Sequence, residues 1–199
     1  MTTTTMSASA RYWGALARTR VPEADLRLGD LQTLPYDDDS FDLVTGFTSF
    51  FFADDMVAAL REAERVARPG APIAIQVFGN PERCDLEAMK AAVAQFRPRA
   101  GSGEDSRPYW RPGIVAELVA HAGLNVEAAF DTTWAYAYPD DNALLDAMLA
   151  AGGAGAVAGP ERERERELRS ALLHALAPCR QPDGSYRVSN EWHVVIARA

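Results

Sequence analysis

The chain is poor in the residues that most often announce a function. It has one lysine, Lys90, against nineteen arginines, and three histidines. It has two cysteines, Cys84 and Cys179, far apart and outside any Cys-x-x-Cys pair. That excludes a disulfide scaffold and argues against a cysteine zinc site. No pair of histidine and carboxylate has metal-ligand spacing, so no metal is expected. No apolar run approaches 18 residues, so no membrane-spanning helix is expected. Basic charge is also short: 20 basic against 28 acidic residues give −8. A field of that sign repels phosphate, which argues against a nucleic-acid or anionic-membrane partner. No nucleophile elbow and no Walker loop is present.

What remains is a chain of 199 residues, 48% apolar, enough for one domain with a real core. Residues 1–22 hold three arginines and no acid, the composition of a transit peptide. The plainer reading is a ragged start leading into a helix at about 8–20. No apolar leader core is present, and a cytoplasmic protein is expected.

Periodicity then lays out alternating elements. Leu26-Arg27-Leu28 alternates and ends at Gly29-Asp30, predicting a short strand. Residues 34–40 read as loop, and Phe41 to Phe47 as a buried strand. Asp54-Asp55 supplies a cap for a helix with Met56, Leu60, Ala63 and Ala67 on one face, stopped by Pro69-Gly70. Ile73 to Phe78 is a second apolar run. Strands of this kind are expected to be buried on both faces of a parallel sheet.

Asp85 is placed to cap a helix bearing Leu86, Met89, Val93 and Phe96, and 97–110 read as loop. Pro112 and Gly123 bracket a further helix with Ile114, Val115, Leu118 and Val119 inward. Residues 124–138 read as strand, with Trp134, Tyr136 and Tyr138 on one face. Two helices are expected next, at 139–151 and from Pro160, joined by a small-residue linker at 152–159. The alternating charges from Glu161 to Glu167 predict a solvated helix face. Glu191 to Ala199 closes the chain as a strand. The order predicts an α/β layered fold over 1–199 with a helical insertion at 139–177.

Between Ala24 and Gly70 the residues carry a specific pattern. Gly29-Asp30-Leu31-Gln32-Thr33-Leu34-Pro35-Tyr36 is followed by Asp39-Ser40-Phe41-Asp42-Leu43-Val44, and later by Glu62-Ala63-Glu64-Arg65-Val66-Ala67-Arg68-Pro69-Gly70. In this order and spacing the stretch resembles the class I S-adenosylmethionine-dependent methyltransferases of the type 11 branch. The resemblance implies a Rossmann-like sheet with helices on both faces and a ligand crevice at the carboxyl ends of the strands. It implies that Asp30 accepts from an adenine amine and that Leu31 packs on the ring. Gly46, Phe47 and Thr48 would flank the methionine part, with Phe51 close by. Phe52, Tyr109, Trp110, Trp134 and Tyr136 would line a pocket for a small organic acceptor, under the 139–177 helices as a cover. Arg65, Glu62 and Asp42 are expected in structural roles. His174 and His121 are the candidates for a base, and a packed or solvated role is expected for His193.

One part of the family pattern has no counterpart. No Gly-x-Gly precedes residue 30, and Gly14 is the sole early glycine before Gly29. Residues 7–20 resemble the helix that follows the family's second strand, so the first two strands are expected to be missing. The Asp30 strand would then pair directly with Phe41–Phe47, or be displaced, or be completed by another chain. Exposed sheet edges are expected to favour homo-oligomers. A lost glycine loop forfeits charged hydrogen bonds worth roughly 1.5–3 kcal/mol each, so the chain alone is expected to bind the cofactor poorly. Two readings stand at this stage: methyl transfer from S-adenosylmethionine to a small molecule, and a non-catalytic module of the same fold serving as a partner subunit or small-molecule binder.

Overall fold

The computed structural model describes residues 17–96, 108–150 and 162–199. Four strands and five α-helices order these segments. They are β1 (Val44–Phe47), α1 (Met56–Val66), β2 (Pro72–Phe78), α2 (Leu86–Ala94), α3 (Ile114–His121), β3 (Asn125–Tyr138), α4 (Asp141–Ala150), α5 (Arg162–Ala175) and β4 (Tyr186–Arg198). The strands form one mixed sheet in the order β1-β2-β4-β3, with β1 and β2 parallel and β4 antiparallel to both β2 and β3. This is a Rossmann-like α/β sheet with helices on both faces.

The helix α1 follows its sequence signals closely. Asp55 caps it, accepting from the Val57 and Ala58 N–H groups at 2.8 and 3.2 Å. Met56, Leu60, Ala63 and Ala67 are buried as one stripe. Gly70 then takes the left-handed φ of 80° that ends the segment. The stripe packs with α3 (Val115 and Val119) on Ile73, Ile75, Val77, Val195 and Ala197. Those strand residues share one face, because β2 and β4 pair Ile75 with Val195 and Ile73 with Ala197. Among the described residues, helices cover the opposite face at one end. There Tyr186 and Val188 meet the apolar stripes of α2, α4 and α5.

Several expectations are corrected. Leu26–Leu28 is not a strand: among the described residues it has no neighbouring strand to pair with, and Leu28 is 58% exposed. The Phe41–Phe47 strand shortens to Val44–Phe47, because Phe41 is drawn to the end of α1 by a bridge to Ala67. Burial on both faces fails for β1. Phe47 is 59% exposed, because the helices cover the other face at this strand.

Asp85 does not cap α2 with its side chain. Its carboxylate accepts from the Ser189 N–H, and Asn190 Oδ1 accepts from the Leu86 N–H at 3.1 Å. The charge run of α5 is not wholly solvated, since half-buried Arg164 donates to the Phe96 carbonyl. Trp134 and Tyr136 lie on the edge strand β3 and are 65% and 43% exposed. The helix expected at 8–20 is described only at its end, where 17–20 are helical, and residues 97–107 and the 152–159 linker lie outside the described residues.

Candidate functional site

The segment from Asp30 to Tyr36 is a sequence of turns rather than a strand end. Asp30 Oδ1 accepts from the Gln32 N–H at 2.8 Å, closing an Asx-turn, and the Asp30 carbonyl accepts from the Thr33 N–H at 3.0 Å. Asp30 Oδ2 makes no hydrogen bond among the described residues. Leu31 packs against the core that holds Val44 and Phe51. Gln32 Oε1 accepts from the Asp55 N–H at 2.6 Å. The Asp30 turn is therefore fastened to the segment that leaves the tip of β1, through the residue that caps α1.

The loop behind it hangs on two residues of α1. Glu62 accepts from the Leu34 N–H at 2.7 Å. Arg65 donates to the Leu34 and Tyr36 carbonyls and pairs with Glu62 and Asp38. The Arg65 guanidinium and the Leu34 N–H hold the Glu62 carboxyl below its ordinary range, and the two carboxylates raise Arg65 in turn. Asp42 pairs with Arg68. The structural roles expected of Glu62, Arg65 and Asp42 are those seen.

At the tip of β1 the backbone is strained. Thr48 takes φ 50° while its N–H donates to the Gln76 carbonyl at 2.9 Å, extending the ladder with β2. Left-handed backbone is unusual for a β-branched residue, and such strain concentrates at ligand-binding positions. Gly46 is glycine for a packing reason: a Cβ there would lie 2.0 Å from the Phe50 ring.

Phe50–Phe52 form one 3-10 turn beyond the tip. The Phe51 ring lies 4.7 Å from Phe52, 6.3 Å from Phe78 at the end of β2 and 6.4 Å from Tyr109. Phe78 in turn stacks on Trp192 at 4.8 Å. Phe52 is 77% exposed at the outer side of this aromatic group.

The structure thus brings Phe51, Phe52 and Tyr109 together at the tips of β1 and β2, with Phe78 and Trp192 as members that sequence reasoning did not select. Trp110 is half-buried beside the Arg111 guanidinium. Trp134 and Tyr136 stand opposite Asn190 and Val188, with β4 between them and β2. His174 is exposed on α5, and His121 is exposed at the end of α3, where its carbonyl accepts from Arg61.

A second polar group lies at the end of β2. Glu191 is buried, accepts from the Asn80 N–H at 3.0 Å and pairs with Arg83 at 2.8 Å. His193, also buried, shares a 2.7 Å hydrogen bond between Nδ1 and Asp131 Oδ1, while its buried Nε2 has no partner among the described residues. These pairings depend on strand register, which local sequence does not reveal. Among the described residues no three histidine, cysteine or carboxylate groups gather as metal ligands, and no helix is long and apolar enough to cross a membrane.

Residues 2–75 match a methyltransferase domain model. The chain is 31% identical over 142 residues to malonyl-[acyl-carrier protein] O-methyltransferase of Geobacter sulfurreducens, covering 70% of this chain and 53% of that protein. It is 30% identical over 140 residues to demethylmenaquinone methyltransferase of Mycolicibacterium paratuberculosis, covering 70% and 52%. A SAM-dependent methyltransferase from Aquifex aeolicus superimposes with a TM-score of 0.41 at 17% identity, covering 61% of this chain and 55% of that one. The chain spans about half the length of these curated relatives. Through the domain match over residues 2–75, the curated relatives and the ordered motifs from Gly29 to Gly70, the chain is similar to the class I methyltransferases.

Proposed function

We propose that this chain carries the adenine side and the acceptor side of a methyltransferase that uses S-adenosylmethionine on a small molecule. The tether from Gln32 to Asp55 carries the reading, because it fastens the Asp30 turn to the segment that follows β1. The adenine end fits the residues present. The Asx-turn orients the Asp30 carboxylate and leaves Oδ2 to accept from an exocyclic amine, while Leu31 offers an apolar surface. Thr48 and Phe51 stand at the strand tip, where the methionine part would lie. Phe52, Tyr109 and Trp110 would contact the acceptor, with α4 and α5 as a cover beyond them.

When bound, the cofactor supplies an electrophilic methyl group. The chain's own work is to position and desolvate. Alignment of the reacting groups supplies most of the rate in such a displacement, and an aromatic wall that excludes water serves it. His174 and His121 remain the proposed candidates for a base. A cytoplasmic setting and a single methyltransferase unit over 1–199 belong to the same proposal. A non-catalytic module of this fold is the second reading, favoured by the turn that stands where a strand leading to Asp30 was expected.

Calorimetric titration of S-adenosylmethionine into this chain and into an N-terminally extended version tests both readings. The first predicts micromolar binding by the extended protein, weak binding by this chain, and at least tenfold loss on Asp30→Ala in the extended protein. Absence of binding by both, with folding intact, selects the second reading.

A further inference from the structure

The strand β3 ends the sheet with an open edge. It pairs with β4 along one side, and among the described residues no strand lies along the other. Long open edges are normally guarded by lysine, proline or unpaired inward charge. Residues 125–138 contain no lysine, arginine, proline or glycine. Their two acids already have partners: Glu127 with Arg198 at 2.9 Å and Asp131 with His193 at 2.7 Å. The register shift is confined to Val126/Ala128, so the strand is regular from Ala128 to Tyr138.

One face of this edge is aromatic. Phe130, Thr132, Trp134 and Tyr136 alternate along it, opposite Val194, Trp192, Asn190 and Val188. Phe130, Trp134 and Tyr136 are 49%, 65% and 43% exposed. Such a row on a monomer leaves large apolar groups in water.

We propose that two copies of this chain pair antiparallel through β3, with the two-fold axis at Thr132, and so join their sheets into one. An axis perpendicular to the sheet preserves faces when it passes through a residue position. Centred on Thr132, it sets Phe130 of each copy opposite Trp134 of the other on the same face. Aromatic cross-strand pairs of this kind are the favourable unit of sheet pairing. Asp131 then faces Thr133 across the seam. Centred on Asp131, the same strand would set two carboxylates against each other.

At about 200 Å² for a fully exposed aromatic side chain, the three rings of both copies bring about 600 Å² to the seam. The backbone edge and the remaining side chains add to this, towards the ~1,200 Å² at which stable interfaces begin. The net charge of −8 on each copy opposes the pairing. Salt screens that repulsion without weakening apolar contact, so association should tighten as salt is added. The proposal is independent of methyl transfer and assigns Trp134 and Tyr136 to the seam.

Sedimentation equilibrium of the full 199-residue chain, at low and high salt, tests it. The expected result is a monomer–dimer equilibrium that is at least threefold tighter at high salt. Trp134→Lys should weaken it at least a hundredfold with the circular dichroism spectrum unchanged. Thr132→Cys under mild oxidation should give a disulfide-linked dimer, because facing residues of an antiparallel pair fall within disulfide range. Thr133→Cys should not. The native thiols do not compete, since Cys84 and Cys179 are buried. A wild-type chain that stays monomeric overturns the proposal. So does a Trp134→Lys chain that dimerises as the wild type does, or a dimer whose Thr132→Cys variant fails to cross-link.

Discussion

Arg65 lies against Glu62 one helical turn away, Nη2 to Oε1 at 2.6 Å, and the two side chains together hold the backbone of Leu34. The pair joins the end of α1 to the loop that follows the Asp30 turn. Its effect is on the placement of the Asp30 turn as much as on stability.

Acid should loosen that junction. The Glu62 carboxyl is held below its ordinary value of 4.5 by the Arg65 hydrogen bond first, and by the Leu34 N–H. A carboxyl depressed in the folded state stabilises the fold at pH above its ordinary value. That contribution disappears as pH falls through the folded value. Urea unfolding from pH 7 to pH 3 should therefore show wild type ahead of Glu62→Gln at neutral pH. The gap should close below about pH 4.5. A constant gap would place the stabilisation elsewhere.

Gly46→Ala should be destabilising despite its small size. The new methyl would sit 2.0 Å from the Phe50 ring, which is itself buried, so the ring or β1 must move. Overpacking of this kind costs about 1–3 kcal/mol, readable as a lower urea midpoint. Phe50→Leu in the same chain should recover part of the loss.

Thr48→Gly should act in the other direction. Glycine adopts the φ of 50° without a Cβ penalty, and the Thr48 side chain makes no hydrogen bond among the described residues. A gain of up to about 1 kcal/mol in unfolding free energy is expected. If Thr48 also borders the cofactor, binding by the extended protein will weaken while stability rises.

The two thiols should be silent in the native chain. Burial pushes Cys179 up to about 11 and raises Cys84 as well, so little thiolate forms near neutral pH. An aromatic disulfide reagent at pH 8 should react slowly with native protein and fast, at two equivalents, in urea.

Local signals carried much of this architecture. Asp55, the Met56–Ala67 stripe and Gly70 mark α1 by themselves, and Gly123, with φ 96°, closes α3 as its position suggested. Where a partner distant in sequence decides, the sequence was silent. Leu26-Arg27-Leu28 alternates as a strand should, but alternation without a neighbour does not make a ladder. Alternation alone puts Trp134 and Tyr136 on one face, yet whether that face is covered depends on helices elsewhere. The His193–Asp131 and Glu191–Arg83 pairs exist only through the register of β4 with β3 and the turn after β2. At the candidate site, the Gly29–Tyr36 motif marks a segment, and the turn geometry of Asp30 does not follow from it.

The strand that lies between β2 and β3 in space is the last of the four along the chain. A nascent polypeptide therefore leaves the ribosome with its sheet split into halves, and α2 waits for Asn190 to reach its first turn. Closure is a late, long-range event, which makes premature termination upstream of Tyr186 a sentence to degradation rather than a route to a smaller working fragment.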